Sequence, residues 1–319
     1  MDDHDLLISV IKKAAVPLEP LLPQLPPEWE KLASEPFTGR CSAVIFDVYG
    51  TLFCSAAGDI ETMNNEQPDR NQITAGVQTR AGTQCPESDL DAVAALYDPE
   101  LNGKKLCIYF RDKVREIHQS KRIQTDWPEV LVEQIWSDFL KERGLPGSGR
   151  ELALRYELAV NPVYPMPHAA KAIAALRKSG CLLGIVSNAQ FFTPLLFEVF
   201  FGGLPEETGF DPDLVIYSFK EGEAKPSPRL FAKLVRKLEK KGIRASDCAF
   251  VGNDMLSDIY GAQTAGLQTV LFAGDSRSLK LREGDNLACH IKPSRIIRDL
   301  AELIPKAEPV RRLEPSAGS

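Results

Sequence analysis

Histidine is scarce in this chain: four residues among 319, at positions 4, 118, 168 and 290. No two of them stand at the close spacing that lets imidazoles share a zinc ion. His168 reads as a surface or capping residue near a helix start. The seven cysteines, at 41, 54, 85, 107, 181, 248 and 289, are odd in number and show no close pairs. That pattern argues against a disulfide framework and against a cysteine-held zinc site. Cys181 and Cys248 stand beside apolar runs and read as small buried hydrophobes; packing is also expected of Cys54. No long lysine or arginine run occurs, and the net charge of -6 gives no overall attraction to nucleic acid or to an anionic membrane. The densest basic stretch holds Lys233, Arg236, Lys237, Lys240 and Lys241, interrupted by Leu238 and Glu239, and reads as the solvated face of a helix. No apolar stretch is long enough to span a bilayer. Neither a glycine-rich dinucleotide fingerprint nor a Walker loop is present. The opening residues Met1-Asp2-Asp3-His4-Asp5 are acidic where a secretory signal would be basic. A reduced, cytoplasmic setting is therefore expected, with no nucleic-acid or membrane partner.

The apolar content is ordinary for a globular protein, and 319 residues suffice for a large core and two domains. Ala43-Val44-Ile45-Phe46 is a short run rich in branched residues, the pattern of a buried parallel strand. It ends in Asp47, and Gly50 supplies a turn. A carboxylate there points out of the carboxyl end of a sheet, where open α/β folds build their sites. It suits a nucleophile, or it caps a loop. Leu182-Leu183-Gly184-Ile185-Val186 is a second such run and ends in Ser187-Asn188. Lys225-Pro226 precedes a helical stretch. Ala249-Phe250-Val251-Gly252 is a third run, followed by Asn253-Asp254 and then Asp258. Ser187 suits either an anion donor or a helix N-cap, and the acids suit either ligands or helix caps.

Asp-x-x-Gly-Thr, a strand ending in serine, Lys-Pro, and acids after Val-Gly occur in that order. The order resembles the haloacid dehalogenase-like hydrolase superfamily, over residues from about 40 to about 300. The resemblance implies a doubly wound parallel sheet, a Rossmann-like α/β core, with a helical cap domain between the first and second motifs. Strand-helix alternation through Val270-Leu271-Phe272 independently implies a parallel sheet covered on both faces.

The expected organisation is an N-terminal arm over residues 1–39 and a core over 40–57 and 164–304. A helical cap insertion over 58–163 includes a polar loop, and a loose tail covers 305–319. In the arm, Leu6 through Ala15 has helical spacing, and Pro17, Pro20, Pro23, Pro26 and Pro27 then enforce an extended segment. Cap helices are expected over Asp89–Tyr97, Cys107–His118 and Trp127–Arg143. A core helix is expected over Ala169–Lys178, stopped by Gly180.

The resemblance assigns the site residue by residue. Asp47 is the nucleophile, and Lys225 stabilises charge on the transferring group. Thr51, Ser187 and Asn188 orient an anionic substrate group. Asp47, the backbone carbonyl of Tyr49, and the acids Asp254 and Asp258 hold Mg²⁺. Converging carboxylates cannot all stay ionised without compensation, which the Lys225 ammonium or a hard divalent cation can supply. Two departures matter. The superfamily's phosphatases carry a second aspartate where this chain has Tyr49, and a phenol is a poor base near neutrality. The sequence Asp-x-Tyr-Gly-Thr resembles the L-2-haloacid dehalogenase branch, where halide leaves without a proton and no metal is needed. Asn253, in turn, occupies the place of the first acid of the last motif; whether it or, by a small register shift, Asp254 takes the first metal position is left open. The expected activity is Mg²⁺-dependent hydrolysis of a small phosphate ester. The alternatives are 2-haloacid dehalogenation, or a weakly active binding protein on the same fold. Substrate and oligomeric state are left open.

Overall fold

The computed structural model describes residues 2–33, 41–56 and 87–304. In chain order its strands are β1 (Ala43–Phe46), β2 (Phe53–Ser55), β3 (Val163–Pro165), β4 (Leu182–Ser187), β5 (Val215–Tyr217), β6 (Cys248–Gly252), β7 (Gln268–Phe272) and β8 (Arg295–Ile297). β2 and β3 form a small antiparallel pair, and the other six lie parallel in the order β5-β4-β1-β6-β7-β8. From β1 the chain builds outward through β4 to β5, then returns to the other side of β1 for β6, β7 and β8. The order thus reverses at β1, the topological switch beside which open α/β sheets place their ligands.

The helices are α1 (Asp3–Ala14), α2 (Pro27–Ala33), α3 (Glu87–Ala95), α4 (Gly103–Lys121), α5 (Val132–Glu142), α6 (Gly149–Val160), α7 (Ala169–Lys178), α8 (Thr193–Phe201), α9 (Pro205–Thr208), α10 (Ser218–Glu221), α11 (Pro228–Lys240) and α12 (Gly261–Thr264). A π-helical segment, Met255–Tyr260, runs directly into α12. Both faces of β1 are buried, and its side chains alternate between two apolar layers. Val44 and Phe46 join the layer holding Ile173 and Leu176 of α7, with Leu196 and Phe197 of α8. Ala43 and Ile45 join the layer holding Leu230, Phe231, Leu234 and Leu238 of α11. The sheet is doubly wound, as the sequence predicts.

β2 and β3 form the stem from which α3 to α6 leave the core. Aromatic packing holds this insertion together. Phe110 of α4 stacks on Trp136 of α5 at 5.6 Å between ring centroids, and Tyr156 of α6 lies 4.8 Å from Trp136. The expected helix over Trp127–Arg143 begins only at Val132. Pro128 disfavours helical geometry at Trp127, and the segment instead pairs with the core: Pro128 bridges antiparallel to Glu223. The spacing-based reading does not include α6. Its N-cap Ser148 accepts from Glu151 N–H at 3.4 Å, the Ser-x-x-Glu start signal. Most of the expected polar loop and the tail beyond 304 lie outside the described residues.

The N-terminal arm packs. Leu7, Val10 and Ile11 of α1 are buried, and the helix lies against both α6 and α8. Asp3 pairs with Arg150 at 3.1 Å, and His4 Nε2 lies 3.1 Å from Glu198. The proline-rich segment continues across the core, where Ser276 N–H donates to Leu21 O at 2.6 Å and Leu25 is buried against Met255 and Ile259. His168 is the N-cap residue of α7, at φ +63°, with its ring 2.7 Å from Asp299.

Candidate active site

Three strand ends build the site. Phe46 lies level with Ile185 of β4 and Val251 of β6, so Asp47 emerges between those two strands. Its N–H donates to Val251 O at 2.9 Å, extending the ladder by one residue. The chain then turns sharply, with Thr51, Leu52 and Phe53 N–H groups all directed at Val48 O. Gly50 makes this turn at φ +76°, and a Cβ there would lie 2.5 Å from Ser278 Cβ and 2.7 Å from Asn253 Nδ2. Only glycine satisfies both the dihedral and the space.

Lys225 unites the site. Its Nζ lies 2.7 Å from Asp47 Oδ1 and 2.6 Å from Asp258 Oδ1, and the exposures of the three residues are 3%, 6% and 0%. Its backbone N–H donates to Asn188 Oδ1 at 2.6 Å, so the asparagine after β4 fixes the lysine loop. Asp258 enters because Gly252 has no side chain; a Cβ there would collide with the Asp258 carboxyl. The other oxygen, Asp258 Oδ2, accepts from Asp254 N–H at 2.9 Å.

One ammonium serves two buried carboxylates, and the electrostatics follow. Burial acts to lower the Lys225 pKa, but attraction to Asp258 and Asp47 and hydrogen bonds to both override it, and the pKa is raised. Burial pushes the Asp258 carboxyl up to about 7; Lys225 opposes this, while Asp47 and Asp254 add to it. The two shifts agree, because a single positive charge cannot compensate both anions.

Asp254 faces elsewhere. Its carboxylate caps the π-helical segment, accepting from Leu256 N–H at 2.8 Å and Ser257 N–H at 3.2 Å. It also receives the Arg282 guanidinium, with Nη2 at 2.6 Å and Nε at 3.1 and 3.2 Å. Burial would raise its pKa, but the Arg282 hydrogen bonds, together with Lys280, lower it. Arg282 itself sits at φ +54°, a left-handed conformation unusual for a non-glycine residue.

The remaining expected residues are close by, each with a defined contact. Thr51 Oγ1 donates to Asn253 Oδ1 at 3.0 Å, and Asn253 Nδ2 donates to Ser278 O at 2.7 Å. Ser187 Oγ donates to Asn188 O at 3.2 Å. The Tyr49 hydroxyl lies 2.9 Å from Thr193 Oγ1, inside the core at the start of α8. Cys54 is buried against Met166, with burial as the main cause raising its thiol pKa to about 12.

A cavity of about 160 Å³ adjoins Lys225. Its core wall includes Asn188, Gln190 and Arg282, and its outer wall includes His118, Trp127 and Glu129 from the insertion. Sequence reasoning did not single out Arg282, Glu129 or Gln190. Gln190 lies two residues past Asn188 and was within reach of the second motif; the other two gain their places through contacts distant in sequence.

The donor set suits a hard divalent cation. Asp47 and Asp258 present carboxylate oxygens with a net negative charge left over after Lys225. Among the described residues no three His, Cys, Asp or Glu side chains gather into a cage. Carboxylate oxygens of this kind are the ligands a hard cation takes, one or two of them beside its waters.

A family model described as haloacid dehalogenase-like hydrolase matches residues 41–266. A ribulose-1,5-bisphosphate 5-phosphatase from Halopiger xanaduensis is 26% identical over 269 residues, spanning 82% of this chain and 97% of that protein. A glyceraldehyde 3-phosphate phosphatase from Pyrococcus abyssi is 33% identical over 111 residues, spanning 34% of this chain and 42% of its own length. Among solved structures, a phosphatase of the same family from Thermococcus onnurineus is 22% identical, covering 82% of this chain and 95% of that one at a TM-score of 0.46.

Proposed function

The chain belongs to the haloacid dehalogenase-like hydrolase family, and on that premise we propose that it hydrolyses a small phosphate monoester through a covalent intermediate on Asp47. One observation carries this reading: Lys225 Nζ holds both Asp47, just past β1, and Asp258, in the helical segment after β6, beside a cavity of about 160 Å³. A lysine so placed orients the nucleophile and offers positive charge to the phosphoryl oxygens as they approach. The curated relatives named as sugar- and triose-phosphate phosphatases support a phosphorylated sugar as the substrate class.

In this reading an Asp47 oxygen attacks phosphorus in line and the ester oxygen departs. Water then attacks phosphorus and releases Asp47. Ser187 and the Asn188 amide orient phosphoryl oxygens, and Thr51 holds the turn in place through Asn253. Asp47, the Tyr49 carbonyl and Asp258 are the oxygens we assign to Mg²⁺, which when bound supplies positive charge to the transferring group. Asp254 we assign to Arg282 and the helix amides, as a buttress under Asp258.

A second reading, halide displacement from a 2-haloacid, is favoured by one observation. The Tyr49 hydroxyl is engaged with Thr193, so the position that carries an acid in phosphatases presents none here. The two readings separate in one assay. Hydrolysis of p-nitrophenyl phosphate that a chelator abolishes and Mg²⁺ restores is the expected result. Halide release from 2-chloropropionate, indifferent to chelator and without phosphate hydrolysis, would overturn it.

A further inference from the structure

Phosphate ester hydrolysis leaves one proton to be found. An alkoxide leaving group needs an acid as its P–O bond breaks, and the attacking water needs a base. Tyr49 is occupied in the core. The cavity beside Lys225 is nevertheless lined by a buried acid, Glu129, which is 9% exposed.

The placement of Glu129 is fixed from two directions. Its N–H donates to Gly222 O at 3.2 Å, and Ala224 N–H donates to Trp127 O at 2.9 Å. This part of the insertion is therefore paired with the stretch that leads directly into Lys225. From the other side, Gln190 Nε2 donates to Val130 O at 3.0 Å and lies 3.4 Å from Glu129 Oε1. Gln190 Oε1 accepts from Val132 N–H at 3.2 Å, and Val130 N–H donates to Glu129 Oε1 at 2.8 Å. One carboxyl oxygen is thus anchored by N–H donors, which sets the orientation of the whole group. Three other ionisable side chains of the insertion line the cavity: Asp126 is exposed, His118 projects from α4, and Arg122 is the C-cap residue of the same helix.

We propose that Glu129 is the acid and base of phosphoryl transfer, in place of the aspartate missing at position 49; this rests on the phosphatase reading above. As Asp47 bonds to phosphorus and the P–O bond to the alcohol breaks, the Glu129 proton passes to the departing oxygen. The Glu129 carboxylate then takes a proton from water. That water oxygen bonds to phosphorus, the bond from phosphorus to Asp47 breaks, phosphate leaves, and Glu129 is protonated again.

The test compares wild type, Glu129→Gln and His118→Gln on p-nitrophenyl phosphate, phenyl phosphate and glycerol phosphate. Nitrophenolate leaves without a proton; the alcohol does not. Glu129→Gln is expected to lose about 10²- to 10⁴-fold in kcat/KM on glycerol phosphate, and far less on p-nitrophenyl phosphate. During turnover of the latter, phosphorylated Asp47 is expected to accumulate, because the base is gone; its appearance also shows that the variant folds. Glu129→Asp, which keeps the acid, is expected to recover much of the glycerol phosphate activity. An equal loss across the series, no loss, a leaving-group dependence that steepens in His118→Gln instead, or Glu129→Asp no better than Glu129→Gln would overturn the assignment. Wild type inert towards all three esters would overturn the phosphatase reading itself, which separates the two failures.

Discussion

Replacing Lys225 with methionine removes one positive charge and leaves Asp47 and Asp258 as two buried carboxylates around an apolar stem. At 2.7 Å and an effective dielectric constant near 20, each pair attracts by about 6 kcal/mol before desolvation is subtracted. Desolvation offsets much of that attraction, and removing one partner of a buried pair typically costs about 3–5 kcal/mol. For a domain of this size each kcal/mol moves the melting temperature by about 2–4 °C. Lys225→Met should therefore melt about 6–20 °C below wild type by calorimetry. The double variant Lys225→Met/Asp258→Asn should regain most of the loss, because it removes one stranded charge, while phosphate hydrolysis stays lost in both. The pH window follows from the raised Lys225 pKa. A raised pKa on a cationic group makes its stabilisation complete below the unfolded value, about 10.4, and loses it as pH rises through the folded value. The lysine's own contribution should thus be lost only above about pH 10, while the gap between wild type and Lys225→Met should widen as pH rises through neutrality, because the Asp258 carboxyl, already pushed up to about 7, rises further once the ammonium is gone. A single variant within about 1 kcal/mol of wild type, or a double variant less stable than the single, would refute the shared-ammonium reasoning.

Other consequences are as direct. Arg282→Gln strands the Asp254 carboxylate and should cost about 3 kcal/mol at pH 7 in urea denaturation. Because the Asp254 pKa is lowered in the fold, that stabilisation is present above about 3.9 and is lost as pH falls through the folded value; a difference from wild type that grows as pH falls below about 3.9 would contradict it. Leu7→Ala should cost about 2–5 kcal/mol, since Leu7 is buried where α1 meets α6 and α8; a change within about 0.5 kcal/mol, typical of a surface site, would mean that α1 does not hold this joint in solution. A thiol reagent applied to the native protein, read by peptide mass spectrometry, should label the exposed Cys289 and leave Cys54 unmodified until unfolding. Rapid native labelling of Cys54 would contradict its burial.

The core was legible because buried parallel strands read as unbroken apolar runs. β1, β4 and β6 each end at the polar residues the motifs single out, and α7 spans the residues its spacing predicts. The helical insertion was legible in kind but not in boundary. Trp127 to Glu129 has a helix-compatible pattern, yet Pro128 and the backbone of Gly222 to Ala224 draw it into an extended pairing. Local pattern cannot report a partner some 95 residues away. The same limit applies within the site. Asp47 is recognisable from a strand end, Lys225 from Lys-Pro before a helix and Asp258 from the acids after the third apolar run, whereas Arg282 reaches Asp254 from a loop with no periodic signal of its own. Glu129 is visible as an acid in sequence, but its place beside Lys225 arises only when the insertion folds onto the core.

The most direct test concerns the oxygen of Asp47. Wild type turning over p-nitrophenyl phosphate with Mg²⁺ is quenched in acid within one turnover, digested and sequenced by mass spectrometry, alongside a second reaction run in heavy-oxygen water. A phosphoryl group on the peptide carrying Asp47, with the heavy isotope found in released phosphate and not in the aspartate, is the expected result. Phosphate released at full rate without any phosphorylated Asp47, or heavy oxygen entering the Asp47 carboxyl during turnover of a 2-haloacid, would contradict it.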